Sequence, residues 1–80
     1  MGTNNTQKKS PRKNWHRAYI GARLKMNGTN TAKLSRDHGY PGDALKNAYV
    51  QPWPKAEKII ASAIGVTPEE IWPERYEGVK

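Results

Sequence analysis

Gly39 is the residue that most restricts how this chain folds. It divides the segment TAKLSRDHGYPGDALKNAYV, Thr31 to Val50, into two short stretches that each read as a helix. With Gly39 as the turn glycine, Leu34, Tyr40, Leu45 and Ala48 are the residues that must pack inward, and all four are apolar or aromatic. Ser35 falls where the two helices cross, a place that accommodates only a small side chain. Lys46, Asn47 and Val50 then lie on the outward face of the second helix. This is the layout of a helix-turn-helix, the motif that places its second helix in the major groove of DNA.

The rest of the chain narrows the choices around that motif. Eighty residues hold at most one domain, with a core of marginal size. The chain has no cysteine, so neither disulfides nor a thiolate zinc site supplement that core. The longest apolar run, Ile59 to Val66, is far short of the roughly 20 residues that cross a bilayer, and the polar start does not resemble a secretory signal. The expected home is therefore the cytoplasm, at the nucleoid if bacterial.

Charge is unevenly spread. Of the net +7, residues 1–14 carry +4, residues 15–50 carry +4 and residues 51–80 carry −1. The basic field thus covers the N-terminal arm and the proposed reading unit, and a polyanion is its natural partner because lysine and arginine release counterions condensed on phosphates. Charge alone does not separate DNA from RNA or an anionic membrane surface.

Met1 to Asn14 has no large apolar residue after Met1 and is predicted to form a mobile basic arm, residues 1–14. From Trp15 the spacing turns helical and offers two stripes, Ile20 with Leu24 or Trp15 with Tyr19 and Met26; the first is favoured as the deeper pair, with Trp15 closing one end, His16 capping the start and Gly28 as the stop. Gly21 weakens this helix. Thr29, Asn30 and Thr31 are candidate caps for the next helix, which runs to about His38. After Gly39, Pro41 forces a turn and Gly42 or Asp43 opens the second motif helix, which ends at Pro52. Ala56, Ile59, Ile60, Ala63 and Ile64 then match the amphipathic template at every step, and Gly65 ends that helix. Thr67 and Pro68 start a short last helix closed by Trp72 and Pro73, leaving the residues from Glu74 as a tail. Trp53 and Trp72 are expected in the core, and Tyr76 is a candidate for a dimer contact.

At these landmarks the chain resembles a known family. WHRAYIGARL, LSRDHGY, QPWPKAEKIIASAIG and IWPERY resemble the Ner-like proteins, small helix-turn-helix transcriptional regulators. The likeness runs from about Trp15 to Gly78 and implies an all-α, compact four- to five-helix lambda-repressor-like domain over residues 15–78. Departures are informative: the family usually has Asp where this chain has Asn14, Gly where it has Ala56, and Ser where it has Glu74. Lys46 stands where a small residue is frequent. The resemblance carries the fold, not the family's operator sequences.

Base-edge contacts are assigned to Asp43, Lys46, Asn47 and Val50. Lys46 suits guanine O6 or N7, Asn47 pairs with adenine, Val50 meets a thymine methyl and Asp43 accepts from cytosine N4. Phosphate contacts are assigned to Thr31 and Lys33 at the start of the first motif helix, to Arg23, Arg36 and Lys55, and to Lys8, Lys9, Arg12 and Lys13 of the arm. His16 and His38 stand far apart with no cysteine, paired-carboxylate motif or glycine-rich phosphate loop nearby, so no enzyme activity, metal or cofactor is expected. The reading is a sequence-specific duplex-DNA-binding transcriptional regulator that represses by occluding a promoter. A homodimer on DNA is compatible with the motif, and no small-molecule effector is evident. The rival readings are a nonspecific nucleoid-type protein and a module that docks an acidic protein partner.

Overall fold

His16 opens the first helix by accepting a hydrogen bond from the Ala18 amide on its ring Nδ1, 3.0 Å away. The computed structural model describes residues 13–76, and the elements run α1 (Arg17–Met26), α2 (Thr31–Asp37), a 3₁₀ helix (Ala44–Tyr49), α3 (Pro54–Ile64), α4 (Pro68–Ile71) and α5 (Pro73–Tyr76). No strand occurs among the described residues. The expected all-α architecture is what the chain adopts. The arm residues Lys8, Lys9 and Arg12 lie outside the described range.

On α1, Ile20 and Leu24 are one helical turn apart and both buried, as their spacing predicts. They meet Leu34, Leu45, Ala48, Ala56, Ile60, Ala61, Ile64, Ile71 and Trp72 in one apolar core. Trp15 packs against its edge and donates its amide to the Ile71 carbonyl at 2.8 Å, so the two ends of the domain are joined by backbone. Asn14 belongs to this junction and not to the arm. Its amide donates to Glu74 Oε2 at 3.1 Å and its Oδ1 accepts from the Glu74 amide at 3.0 Å, a reciprocal pair that caps α5.

Three expectations need correction. Glu74 to Tyr76 are not part of a tail, because Pro73 starts another helical turn, α5. The buried face of α3 consists of Ala56, Glu57, Ile60, Ala61 and Ile64, so it is rotated from the expected stripe. Ile59 and Ala63 are only half-buried and line a groove of about 340 Å³ with Leu34, His38, Lys58 and Ser62. Tyr76, a candidate dimer contact if exposed, is instead half-buried and tied inward: its hydroxyl donates to Glu57 Oε1 at 2.6 Å.

Glu57 explains that rotation. The residue is 1% exposed, so its carboxylate needs partners for both oxygens. Oε2 accepts from the Trp53 amide at 2.8 Å and from Arg75 Nη1 at 2.9 Å, while Oε1 takes the Tyr76 hydroxyl. One side chain thereby fastens the start of α3 to α5. Arg75 also packs over the Trp72 ring, 5.1 Å from its centroid.

Two outcomes are expected. Burial, and then the hydrogen bond to Glu57, push the Tyr76 hydroxyl from 10.0 up to about 12. The folded state therefore holds this proton more tightly, so the contribution is complete below pH 10.0 and is lost as pH rises through about 12. Denaturant unfolding across that interval should show a steeper loss of stability for the native chain than for Tyr76→Phe, and parallel losses would count against the bond. Gly21 lies inside α1, and a Cβ built there meets nothing within 4 Å. Gly21→Ala should raise the unfolding free energy by about 1 kcal/mol.

Candidate nucleic-acid interface

The turn between α2 and the 3₁₀ helix is built on Gly39. Its φ of 82° lies in the left-handed region, where glycine carries no Cβ penalty. Two bonds then seal the end of α2: Tyr40 N to Ser35 O at 2.8 Å and Gly39 N to Arg36 O at 3.1 Å, the pairing of a Schellman motif. The His38 ring adds a third, with Nδ1 3.0 Å from the Leu34 carbonyl. A carbonyl only accepts, so His38 carries its proton on Nδ1. Tyr40, half-buried, turns in to meet Trp53 edge-on, with ring centroids 5.4 Å apart.

Ser35 does more than leave room at the crossing. Fully buried, its Oγ donates to Thr31 O at 2.7 Å and accepts from Leu45 N at 2.9 Å. The amide of Leu45, near the start of the 3₁₀ helix, is thus anchored to α2. At the other end Arg75 Nη2 donates to the Tyr49 carbonyl at 3.3 Å.

Between those anchors the second motif helix is 3₁₀ and not the α-helix that its sequence suggests. Gly42 turns sharply before it, with φ of 55°, and Pro52 stops the chain soon after it. Bonds of the i to i+3 type, such as Lys46 N to Asp43 O and Val50 N to Asn47 O, both 3.1 Å, close its turns. With three residues per turn, side chains three apart align. Leu45 and Ala48 form the buried row, each 0% exposed. Asn47 and Val50 form an outward row, and Asp43 and Lys46 another, which brings Lys46 Nζ within 3.9 Å of Asp43 Oδ2.

The four residues assigned to base edges therefore sit together around one short helix. Lys46, Asn47 and Val50 are exposed, with Val50 at 69%. Asp43 precedes the helix but makes no side-chain cap, and its Oδ1 is buried without a partner. Tyr49, on the same helix, has the Arg17 guanidinium 5.0 Å from its ring centroid. Burial, followed by the charge of Asp43, raises its hydroxyl pKa above the ordinary value.

The residues assigned to phosphate are less uniform. Arg36, Lys55 and Lys13 are exposed. Lys33 is exposed but lies 3.3 Å from Asp37 Oδ2 on its own helix. Its backbone amide is already taken by Asn30 Oδ1 at 2.8 Å, which makes Asn30 the cap among the three candidates. Thr31 is buried to 9% exposure and has little surface to offer. Arg23 is held on an aromatic platform, 5.2 Å over Trp15 and 5.7 Å over Tyr19, with Nη1 donating to the Tyr19 hydroxyl. Arg17 was missed as a positive group beside the 3₁₀ helix. Its position at the start of a different helix gave no sequence signal of that proximity.

Residues 14–80 match the family described as winged helix-turn-helix DNA-binding. The chain belongs to that family. Its Ner-like character is equally plain from its relatives. A negative regulator of transcription from Escherichia phage Mu is 46% identical over 65 residues, covering 81% of this chain and 87% of the relative. Sugar fermentation stimulation protein B of Escherichia coli is 50% identical over 62 residues, 78% of this chain and 67% of the relative. The solution structure of the Mu Ner protein superposes with a TM-score of 0.71 at 45% identity, covering 84% of this chain and 90% of that one.

Ser35→Ala should cost about 1 to 3 kcal/mol, because it leaves the buried Leu45 amide without an acceptor. Hydrogen exchange at that amide should accelerate more than in α1. An unchanged exchange rate would remove Ser35 from its anchoring role.

Proposed function

We propose that this chain is a sequence-specific duplex-DNA-binding transcriptional repressor that acts by occluding promoter DNA. The observation that carries the reading is the exposure of Lys46, Asn47 and Val50 on a short helix whose opposite row, Leu45 and Ala48, is wholly buried. A helix held this way presents its outer rows as a fixed pattern to the major groove.

In this reading Lys46 donates to guanine O6 or N7, Asn47 pairs with adenine, Val50 touches a thymine methyl and Asp43 accepts from a cytosine amino group. Arg36, Lys33 and Lys55 hold phosphates, with Arg23 as a further contributor and Lys13 leading into Lys8, Lys9 and Arg12 of the arm. These contacts fix position without reading sequence. The phage relative named as a negative regulator of transcription supports repression. Binding alone suffices for steric exclusion, so a domain of this size needs no separate effector module. A second copy on a two-fold related half-site would give a palindromic operator. The chain acts wherever DNA is, and no helix among the described residues is long and apolar enough to cross a membrane. The role is that of a regulator and not of a catalyst.

Selection from randomised duplexes should return a short consensus. Against that consensus Lys46→Ala should lose about 1 to 3 kcal/mol of binding, with a far smaller effect on random duplex. Equal weakening on every sequence would replace specific reading with nonspecific attachment.

A further inference from the structure

The first fifty residues contain ten bases but only two acids, Asp37 and Asp43. Both acids fall within the motif, and each lies beside one of its lysines. Lys33 Nζ is 3.3 Å from Asp37 Oδ2, and Lys46 Nζ is 3.9 Å from Asp43 Oδ2. Of the three bases between Thr31 and Val50, only Arg36 has no such partner among the described residues. A surface evolved simply to attract phosphate would not place its acids there.

Neither acid has a structural task that explains it. The side chains of Lys33 and Asp37 are each 51% exposed, and exposed pairs contribute little to stability. Asp43 stands at the cap position of the 3₁₀ helix without making a cap bond, and one of its oxygens is buried and unpaired. The two acids are better understood by what they do to a polyanion approaching the same surface.

We propose that Asp37 and Asp43 are specificity-determining counter-charges that lower the affinity of the reading surface for DNA of arbitrary sequence. The inference rests on the DNA-reading function proposed above. Sequence-independent affinity comes from phosphates neutralised and counterions released. A lysine already facing a carboxylate gains less from a phosphate, and the carboxylate itself repels it. On a matching sequence Lys46 leaves its weak pair for a purine acceptor, and Asp43 Oδ2, freed from that pair, meets an amino group of cytosine or adenine, the donors that base edges offer in that groove. Elsewhere that oxygen meets acceptors and opposes binding. Asp37, on α2 ahead of the reading helix, acts on phosphate alone. Together they widen the gap between the right sequence and all others.

The test uses the full chain with Asp37→Asn and Asp43→Asn, each isosteric, in fluorescence-anisotropy titrations over a salt series. One duplex is random, and the other is the sequence recovered by selection with the native protein. Each substitution should tighten random-duplex binding by about three- to tenfold at low salt and steepen the log-log salt slope by about one. For Asp43→Asn the ratio of selected to random affinity should fall by a similar factor. Circular dichroism and melting verify the fold. If Asp43→Asn does not fold, Asp37→Asn decides, since both side chains of its pair are exposed. Unchanged random-duplex affinity and slope would overturn the proposal, as would equal tightening on both duplexes by Asp43→Asn. A native chain that binds no duplex would overturn the DNA reading itself, a result distinct from a bound baseline that the substitutions leave unmoved.

Discussion

A carboxylate taken out of water must find its full set of partners, and the arrangement around Glu57 follows from that demand. Its three donors come from the Trp53 amide, the Arg75 guanidinium and the Tyr76 hydroxyl. Arg75, 14% exposed in its side chain, is in turn fixed by the carboxylate and by the Trp72 ring, and its second nitrogen reaches the Tyr49 carbonyl. The ion pair therefore extends to the far end of the 3₁₀ helix. Removing one partner of such a buried pair typically costs about 3 to 5 kcal/mol, which is comparable to the whole stability of a small domain. The placement of the 3₁₀ helix is linked to the integrity of the core through this one group.

The 3₁₀ helix is consequently held at both ends by side chains from outside it. Ser35 takes the Leu45 amide, and Arg75 takes the Tyr49 carbonyl. A free 3₁₀ segment of six residues has poor hydrogen-bond geometry and little reason to persist. External anchors, together with the buried Leu45 and Ala48 row, supply what its own bonds lack. The tighter helix also changes its chemistry. Asp43 aligns with Lys46 at three residues per turn, whereas an α-helix would have set Asp43 nearer to Asn47. The 3₁₀ register therefore favours the Asp43–Lys46 pair over an approach of Asp43 to Asn47.

Much of this was legible in the residues. Gly39, Ser35, Leu34, Leu45 and Ala48 each carry a local signature: a residue that tolerates positive φ, a small side chain at a crossing, or apolar groups at helical spacing. The cap on α1 was equally local, because His16 lies two residues from the amide it accepts. Glu57 was not legible. The row Ala56, Ile60 and Ile64 can be flanked by Ile59 and Ala63 or by Glu57 and Ala61, and hydropathy alone selects the first. The deciding partners, Arg75 and Tyr76, are distant in sequence, so only the tertiary fold selects the second. The 3₁₀ geometry was hidden for a related reason, since residue propensities do not distinguish a short α-helix from a 3₁₀ segment between a turn and a proline.

Asn14 and Glu74 show how a departure from the family pattern acquires meaning only as a pair. Taken singly, Asn in place of the usual Asp and Glu in place of the usual Ser look like unrelated surface changes. The structure joins them through two reciprocal backbone bonds, each side chain accepting from the other's amide. An Asp at position 14 would keep the acceptor but place a second negative charge beside the Glu74 carboxylate, and like charges at contact distance oppose each other. The neutral amide retains the acceptor without that repulsion. Because the neighbouring Trp15 amide bonds the Ile71 carbonyl, the compatible pair strengthens a junction that ties the segment before α1 to the end of the domain.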